Sequence, residues 1–446
     1  MMATSTRWRR RTVPPAVTAR RALWTFVTIN VAIVEFLFVN SISGGNPTLI
    51  AARFFGAQAT LLTAFQLLLV ARMPWLDRRL GMDRLTLWHR WIGFGLLWTV
   101  LIHAVLIVAA YADLANTSMT KTFLTLSGVS ASLLGMLAAA VMVVIGVAST
   151  RSLRRRLPYE VWHALHLLLY VALGMTFVHQ LLETTAFAAT TFAIAYWRAL
   201  WLFTFGTLLI GRVVVPVWRN GYHRFRVSAV VRESGDVVSV HVTGRHLDRL
   251  PAMPGQFFIW RFPGHNHWWL ANPFSLSAAP DGDTLRLTAK AVGSTSAGLH
   301  QLPVGTRAFL EGPYGALTSL HRSREGALLI AGGMGITPIR ALLEDDEIGD
   351  DVVVLYRART ESDAVLGEEV RNLVAACGGQ LYLLTGRSQE GAQPFEVSRL
   401  RTLVPDITER DVYVCGPPAM TSAVLDSLRA LQIPADQVHA ERFNLA

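Results

Sequence analysis

The chain has 446 residues, 52% of them apolar, with a mean hydropathy of +0.36 and a formal net charge of +10. At about 150 residues per domain the length bounds two to three domains, and the apolar runs crowd into the first half, unlike those of an ordinary soluble enzyme. Nucleic acid is not the partner of the positive charge, because no basic motif with interleaved aromatics accompanies it; two cysteines exclude a disulfide framework and a four-cysteine iron–sulfur site.

Residues 1–21 read as a basic cytoplasmic tail carrying Arg7, Arg9, Arg10, Arg11, Arg20 and Arg21. Apolar spans follow at about 22–42, 52–72, 88–111, 127–149, 159–180 and 195–217. Each approaches the ~20 residues that cross a hydrocarbon core as a helix. Arginines cluster on alternate sides of these spans: Arg72, Arg78, Arg79 and Arg84, then Arg151, Arg154, Arg155 and Arg156, then Arg212 and Arg219. This bias predicts a multi-pass protein of the plasma membrane with both termini in the cytoplasm. The first span is too long for a signal-peptide core and holds Asn30 and Glu35, so it reads as a retained helix. Glu35 has no partner that the sequence names.

Two histidine pairs lie within the apolar spans: His89 with His103, and His166 with His179. Ionisable or metal-ligating residues at membrane depth are costly and mark function. From His89 to His103 the rise is ~21 Å, and the second ligand returns to within ~40° of the same face. From His166 to His179 the rise is ~20 Å, but an ideal helix leaves the two ~140° apart. A bend or bulge, with Gly174 the candidate, has to repair that angle. His163 competes with His166 but matches the depth less well, at ~24 Å from His179. A zinc site needs four ligands around one point, which this spacing denies. The layout predicts two haems held by bis-histidine ligation, the inner by His89 and His166 and the outer by His103 and His179. His163 and Arg90 are candidate partners of haem propionates. The bland alternative is a set of interhelical hydrogen bonds.

From about residue 221 the periodicity changes to short alternating segments, Phe225–Val231, Val237–Val242, Gln256–Phe262 and Thr284–Ala289, which predict a small antiparallel β-barrel over 221–325. Asn272-Pro273-Phe274-Ser275 falls at the end of one strand. An aromatic beside a hydroxyl suits a flavin ring and its N5. Lys290 and Gly293-Ser294-Thr295-Ser296 offer a charge, hydroxyls and backbone N–H groups suited to a pyrophosphate.

From 326 to 446 strands at Ala327–Ile330, Val352–Tyr356, Gln380–Leu384 and Asp411–Val414 alternate with helical stretches, predicting an α/β nucleotide-binding domain. Gly332-Gly333-Met334-Gly335-Ile336-Thr337-Pro338 sits between a strand and a helix, where glycines admit a pyrophosphate to a helix N-terminus. Arg357 and Arg359 follow the next strand with no carboxylate before Glu361, which favours a 2′-phosphate and hence NADPH, with NADH possible. Cys415-Gly416-Pro417-Pro418 ends the last clear strand, and Phe443 near the C-terminus is an aromatic able to cover a flavin.

These motifs together resemble the ferric reductase and NADPH oxidase superfamily, from about residue 20 to the C-terminus. The resemblance rests on both histidine spacings, the Gly-Gly-x-Gly-x-Thr-Pro loop, Cys-Gly-Pro-Pro and the terminal Glu-x-Phe. Asn272 stands where that family usually has histidine before Pro-Phe-Ser/Thr. The resemblance implies a multidomain chain: an all-α six-helix transmembrane bundle with two b-type haems over 22–218, then FAD and NADPH domains. It further implies Phe274 and Phe443 on the flavin, Ser275 near N5 and Cys415 near the nicotinamide. Electrons are then expected to pass from NADPH through FAD and haem to oxygen or a ferric chelate outside. A relay to a periplasmic protein, and a non-enzymatic transporter, remain alternatives. The oligomeric state is not legible.

Overall fold

The computed structural model describes residues 15–42, 44–182, 190–264, 272–386 and 394–441, and only the backbone of Tyr159, Ser294 and Thr295. The chain divides into two compact units. One takes in Ala22–Arg72 and Leu85–Ile210; the other takes in Met73–Arg84 and Gly211–Leu445.

The first unit is helical. Its elements are α1 (Pro15–Ser41), α2 (Pro47–Leu69), α3 (Pro74–Leu80), α4 (Met82–Leu114), α5 (Met119–Ser127), α6 (Ser130–Ala148), α7 (Arg151–Arg154), α8 (Tyr159–Leu167), α9 (Leu169–Leu182) and α10 (Thr191–Leu209), of which α3 belongs to the second unit. Six stretches are long and apolar enough to cross a membrane, with α8 and α9 together forming one and α10 running on to His223 in another. Two of their starts are set by side chains that satisfy orphan N–H groups. Asn46 Oδ1 accepts from the N–H groups of Thr48 (2.8 Å) and Leu49 (3.2 Å) at the head of α2, and the Thr190 hydroxyl accepts from Ala193 N–H (3.1 Å) at the head of α10. Outward faces are apolar, as at Trp91, Phe94 and Trp98 on α4. In hydrocarbon such faces need no burial by protein, and small residues at helix contacts let backbones approach. Ala131, Ala138 and Ala148 of α6 and Ala172 of α9 are buried accordingly.

Glu35 has a partner on the neighbouring helix: Gln58 Nε2 donates to its Oε1 at 3.0 Å. Asn30 is likewise occupied, donating to the Phe26 carbonyl (2.8 Å) while its Oδ1 accepts from the Tyr196 hydroxyl (2.9 Å).

In the second unit a π-turn at Ile210–Val214 leads into α11 (Val215–His223) and then the strands. Strands β1 (Arg226–Arg232), β2 (Val237–Thr243) and β5 (Thr284–Lys290) form one antiparallel sheet in the order β1-β2-β5. Strands β3 (Phe257–Arg261), β4 (Asn272–Ser275) and β6 (Phe309–Tyr314) form a second in the order β4-β3-β6. Where the alternating pattern predicts a barrel, two three-stranded sheets enclose one core. Single bridges, Leu276–Leu287 and Arg226–Arg307, join their edges in place of continuous ladders. Phe225, Val240, Trp260, Leu276, Leu287 and Leu310 fill the space between them. The short α12 (Ser294–Gly298) follows β5.

The remainder is a parallel sheet with helices: β7 (Gly326–Gly332), α13 (Ile336–Leu342), β8 (Val352–Arg357), α14 (Gly367–Ala376), β9 (Gln380–Leu384), α15 (Val397–Leu403), β10 (Arg410–Cys415), α16 (Pro418–Ala430) and β11 (Val438–Glu441). The order is β11-β10-β7-β8-β9. The direction of winding reverses between β7 and β10, which creates the crevice where such sheets bind ligands.

Met73–Arg84, the arginine-rich link between the second and third apolar spans, packs on this second unit. Asp77 Oδ2 accepts from Gly315 N–H (2.8 Å), Arg78 donates to the Pro251 carbonyl (2.6 Å), and the Arg78 carbonyl accepts from His321 Nε2 (2.8 Å).

Candidate functional site

The histidine site is built on antiparallel helix pairs. His103 Nδ1 lies 2.8 Å from the Ala52 carbonyl, and His89 Nδ1 lies 3.3 Å from the Gln66 carbonyl. Each pair of numbers sums to 155, so α2 and α4 keep one register across fourteen residues. His179 Nδ1 lies 2.8 Å from the Ala131 carbonyl on α6. A carbonyl oxygen can only accept, so in all three rings Nδ1 carries the proton and Nε2 is the basic nitrogen. Metal-ligating histidines are commonly held by such a bond from the second ring nitrogen.

His166 is held differently. Its ring stacks on Trp162 at 5.0 Å, and the guanidinium of Arg154 lies 4.6 Å over the other ring of that stack, Trp162. Its buried Nδ1 has no hydrogen-bond partner among the described residues. The imidazoles of His89 and His166 meet edge to face with centroids 6.2 Å apart. The Gln66 side chain reaches the same spot, its Nε2 3.2 Å from His89 Nε2. Between His166 and His179 the helix is interrupted at Leu168, where α8 gives way to α9, and not at Gly174, which lies inside continuous α9. Half-buried imidazoles, three of them with Nδ1 already committed to a carbonyl, fit the ligand set of a haem; the residues present suit the group.

The flavin-type motif is itself a strand. Asn272–Ser275 forms β4, paired antiparallel with Phe257–Trp260 of β3. The Phe274 carbonyl accepts from the Trp260 indole N–H at 3.0 Å, and the Phe274 ring packs on the core. The Ser275 hydroxyl is buried with no partner among the described residues. A buried orphan hydroxyl is costly unless a ligand completes it, so this position fits the polar edge of a flavin. Pro273 pairs with Ile259 in the same ladder. Lys290 is paired with Asp236 at 3.0 Å. Gly293 precedes α12, and the Ser296 hydroxyl accepts from the N–H groups of Val292 (3.0 Å) and Gly293 (3.1 Å), so it braces the loop from within. The side chains of Ser294 and Thr295, and all of Phe443, lie outside the described residues.

The nucleotide loop leaves the C-terminal end of β7, beside the end of β10. Gly335 is packed so closely that a β-carbon there would sit 2.2 Å from the Cys415 carbonyl oxygen. One at Gly332 would sit 2.3 Å from Met420 Sδ and 3.1 Å from Pro417 Cδ, and one at Gly416 would sit 3.2 Å from Gly332 N. These three glycines serve to press the two loops together. Gly333 differs: its φ is +52° and its β-carbon position faces open space, leaving its backbone approachable. Thr337 donates to the Met334 carbonyl (3.0 Å), and Thr337 and Pro338 lie in buried α13. Cys415 is fully buried, and burial, then Glu441, pushes its thiol well above the usual range, so it is a neutral, soft wall of the crevice. Desolvation, with Asp83 and Asp77 nearby, likewise pushes the Glu441 carboxyl up.

The two arginines after β8 have different roles. Arg357 donates to the carbonyls of Leu384 and Gly386, tying β8 to the end of β9. Arg359 is exposed.

Sequence reasoning missed a polar bridge between the antiparallel and parallel parts of the module. Arg286 donates to Glu369 through both terminal nitrogens (3.1 and 2.9 Å), and Arg340 Nε donates to the same carboxylate (2.8 Å). Arg286 also holds the Ser277 carbonyl (2.7 Å) and hydroxyl (3.1 Å), just beyond the flavin-type strand. The residues are far apart in sequence, and no local spacing marks them.

Fold and crevice together define a ferredoxin reductase-like module for FAD and NAD(P)H, carried on one chain with a multi-pass membrane domain. Residues 55–177 match the ferric reductase like transmembrane component family, and 329–426 match the oxidoreductase NAD-binding domain family. The ferredoxin reductase component of a 3-ketosteroid-9-alpha-monooxygenase from Mycobacterium tuberculosis is 34% identical over 201 residues, covering 44% of this chain and 56% of that one. A flavohemoprotein of Chromobacterium violaceum is 34% identical over 253 residues, covering 50% and 61%. The reductase component of a propane 2-monooxygenase from Mycolicibacterium goodii is 30% identical over 236 residues, covering 49% and 67%. The chain thus spans only 56–61% of the length of the first two of these relatives. Among solved structures, the flavohem-like FAD/NAD-binding domain of a Vibrio cholerae nitric oxide dioxygenase is 25% identical, with a TM-score of 0.41 over 50% of this chain and 98% of that one. A ferric reductase-like transmembrane domain and an FAD/NAD-binding reductase module on one chain match the fused architecture of the ferric reductase and NADPH oxidase type.

Proposed function

We propose that this protein carries electrons from cytoplasmic NADPH, through FAD and two b-type haems, to an acceptor on the far side of the membrane, either oxygen or a ferric chelate. The observation that carries the reading is the set of four membrane histidines, three with Nδ1 committed to backbone carbonyls and two meeting edge to face at 6.2 Å. His89 and His166 would hold the inner haem, and His103 and His179 the outer. FAD, when bound, supplies the conversion of a two-electron hydride into the single electrons that haem iron accepts. With two histidines holding each haem, neither iron would offer a coordination site to the acceptor.

The chain's own residues prepare this transfer. Ser275 offers a buried hydroxyl to the flavin edge, and Phe274 fixes the strand beneath it. Phe443 is assigned to the flavin by the family resemblance. Gly333 admits the dinucleotide pyrophosphate, while Cys415 lines the nicotinamide crevice as a neutral thiol. Arg359 would meet the 2′-phosphate, while Arg357 ties the ends of β8 and β9 together beside it. The packing of Met73–Arg84 on the reductase module supports placing that arginine-rich link and the module on one side, the cytoplasmic one by its charge.

The test is an anaerobic reduced-minus-oxidised absorbance spectrum of the purified, FAD-supplemented protein after adding NADPH. Growth of a low-spin b-type α-band is expected. Haem reducible only by dithionite would sink the NADPH–FAD route, and absence of haem despite supply would sink the whole reading. A second reading, relay of electrons to a protein acceptor, is favoured by the relatives that are reductase components of monooxygenases. It predicts haem reduction without appreciable oxygen or ferric-chelate turnover.

A further inference from the structure

The two outer histidines are seated in matching cradles. His103 Nδ1 bonds the Ala52 carbonyl of α2, and four residues further along α2 a β-carbon on Gly56 would sit 2.9 Å from His103 Cε1 and 3.0 Å from Nδ1. His179 Nδ1 bonds the Ala131 carbonyl of α6, and four residues further along α6 a β-carbon on Gly135 would sit 3.2 Å from both Cε1 and Nδ1 of His179. Residues four apart lie one above the other on a helix face. In each cradle, then, the alanine presents its carbonyl and the glycine leaves the gap that the Cε1–Nδ1 edge of the ring enters. The helices share no evident sequence similarity beyond this Ala-x-x-x-Gly spacing, yet both make the same bond and the same close approach. The inner histidines lack this cradle: Val70 lies four residues beyond the Gln66 carbonyl that His89 meets, and His166 Nδ1 has no carbonyl partner among the described residues.

We infer that Gly56 and Gly135 are positioning residues for the outer haem, each holding its histidine in the Nδ1–H tautomer with Nε2 as the ligating nitrogen. A methyl group at either position meets ring atoms and shifts the imidazole relative to its carbonyl. At 56 the approach is below 3.0 Å and at 135 slightly above it, so alanine perturbs His103 more than His179. Loss of an outer-shell bond to a ligating histidine typically weakens metal affinity 10–100-fold. The inference rests on the di-haem reading.

The experiment uses the full-length protein with Gly56→Ala, Gly135→Ala and the control Gly95→Ala, whose β-carbon would have no heavy atom within 4 Å. Haem per chain is measured by pyridine haemochrome, and the two low-spin haems are resolved by electron paramagnetic resonance and potentiometric titration. Gly56→Ala should lose or shift the signal of one haem, Gly135→Ala should shift the same haem less, and Gly95→Ala should match wild type. The unaltered second haem reports that the bundle is folded. Both glycine variants retaining wild-type stoichiometry, signals and potentials would overturn the inference, as would an equal effect of Gly95→Ala. A wild-type protein without haem would instead overturn the di-haem reading itself.

Discussion

The imidazoles of His89 and His166 meet edge to face, their centroids 6.2 Å apart and their planes inclined at 63°. They come from different helices, 77 positions apart in the chain. His166→Ala should therefore remove one of the two haem signals and leave the other, because His103 and His179 rest on separate carbonyls. Haem stoichiometry and the α-band of the purified variant check this; retention of both haems would remove His166 from the ligand set.

Ser275→Ala should leave the apoprotein as stable as wild type or slightly more so. Its hydroxyl is buried without a partner among the described residues, so nothing is lost on removing it. FAD affinity should fall by about tenfold, the equivalent of one hydrogen bond of roughly 1–1.5 kcal/mol. Thermal melting of the apoprotein and fluorescence titration with FAD separate the two effects.

Arg357 and Arg359 should respond differently to replacement by alanine. Arg357 ties β8 to the carbonyls of Leu384 and Gly386, so Arg357→Ala should lower stability and raise KM for NADPH and NADH alike. Arg359→Ala should raise KM for NADPH by about tenfold or more, since a charge-assisted contact contributes about 1.5–3 kcal/mol, and leave KM for NADH near wild type. Equal effects of Arg359→Ala on both nucleotides would remove the argument for NADPH.

Glu369 should make the reductase module acid-labile. Desolvation opposes its charge, but hydrogen bonds and charge from Arg286 and Arg340 prevail and hold its pKa below the usual range. A depressed carboxylate contributes stability that is present above the unfolded value, about 4.3, and is lost as pH falls through the folded value. Glu369→Gln should thus destabilise the module by about 1 kcal/mol at pH 7, a modest figure because solvent screens a partly exposed pair. The difference from wild type should shrink below about pH 4. Melting curves at pH 7 and pH 3.5 of wild type and variant test it.

The membrane spans and most strands were legible because their signals are local: runs of about twenty apolar residues, period-two alternation, and glycines between strand and helix. The spans 88–111 and 195–217 fall inside the observed Met82–Leu114 and Thr191–His223. Strands β6 and β11 carry too short a pattern to be legible, and the segment that forms β4 reads only as a strand end because it contains a proline. Tertiary structure alone decided three further things. The interruption between α8 and α9 falls at Leu168, where no glycine or proline marks it. Three loop glycines pack against one another's strands while Gly333 alone keeps an open backbone. The carbonyls of Ala52 and Ala131 set the histidine tautomers. The physical reason is common to all three: a backbone carbonyl or an absent β-carbon carries no sequence signature, and only the approach of a distant segment gives it a role.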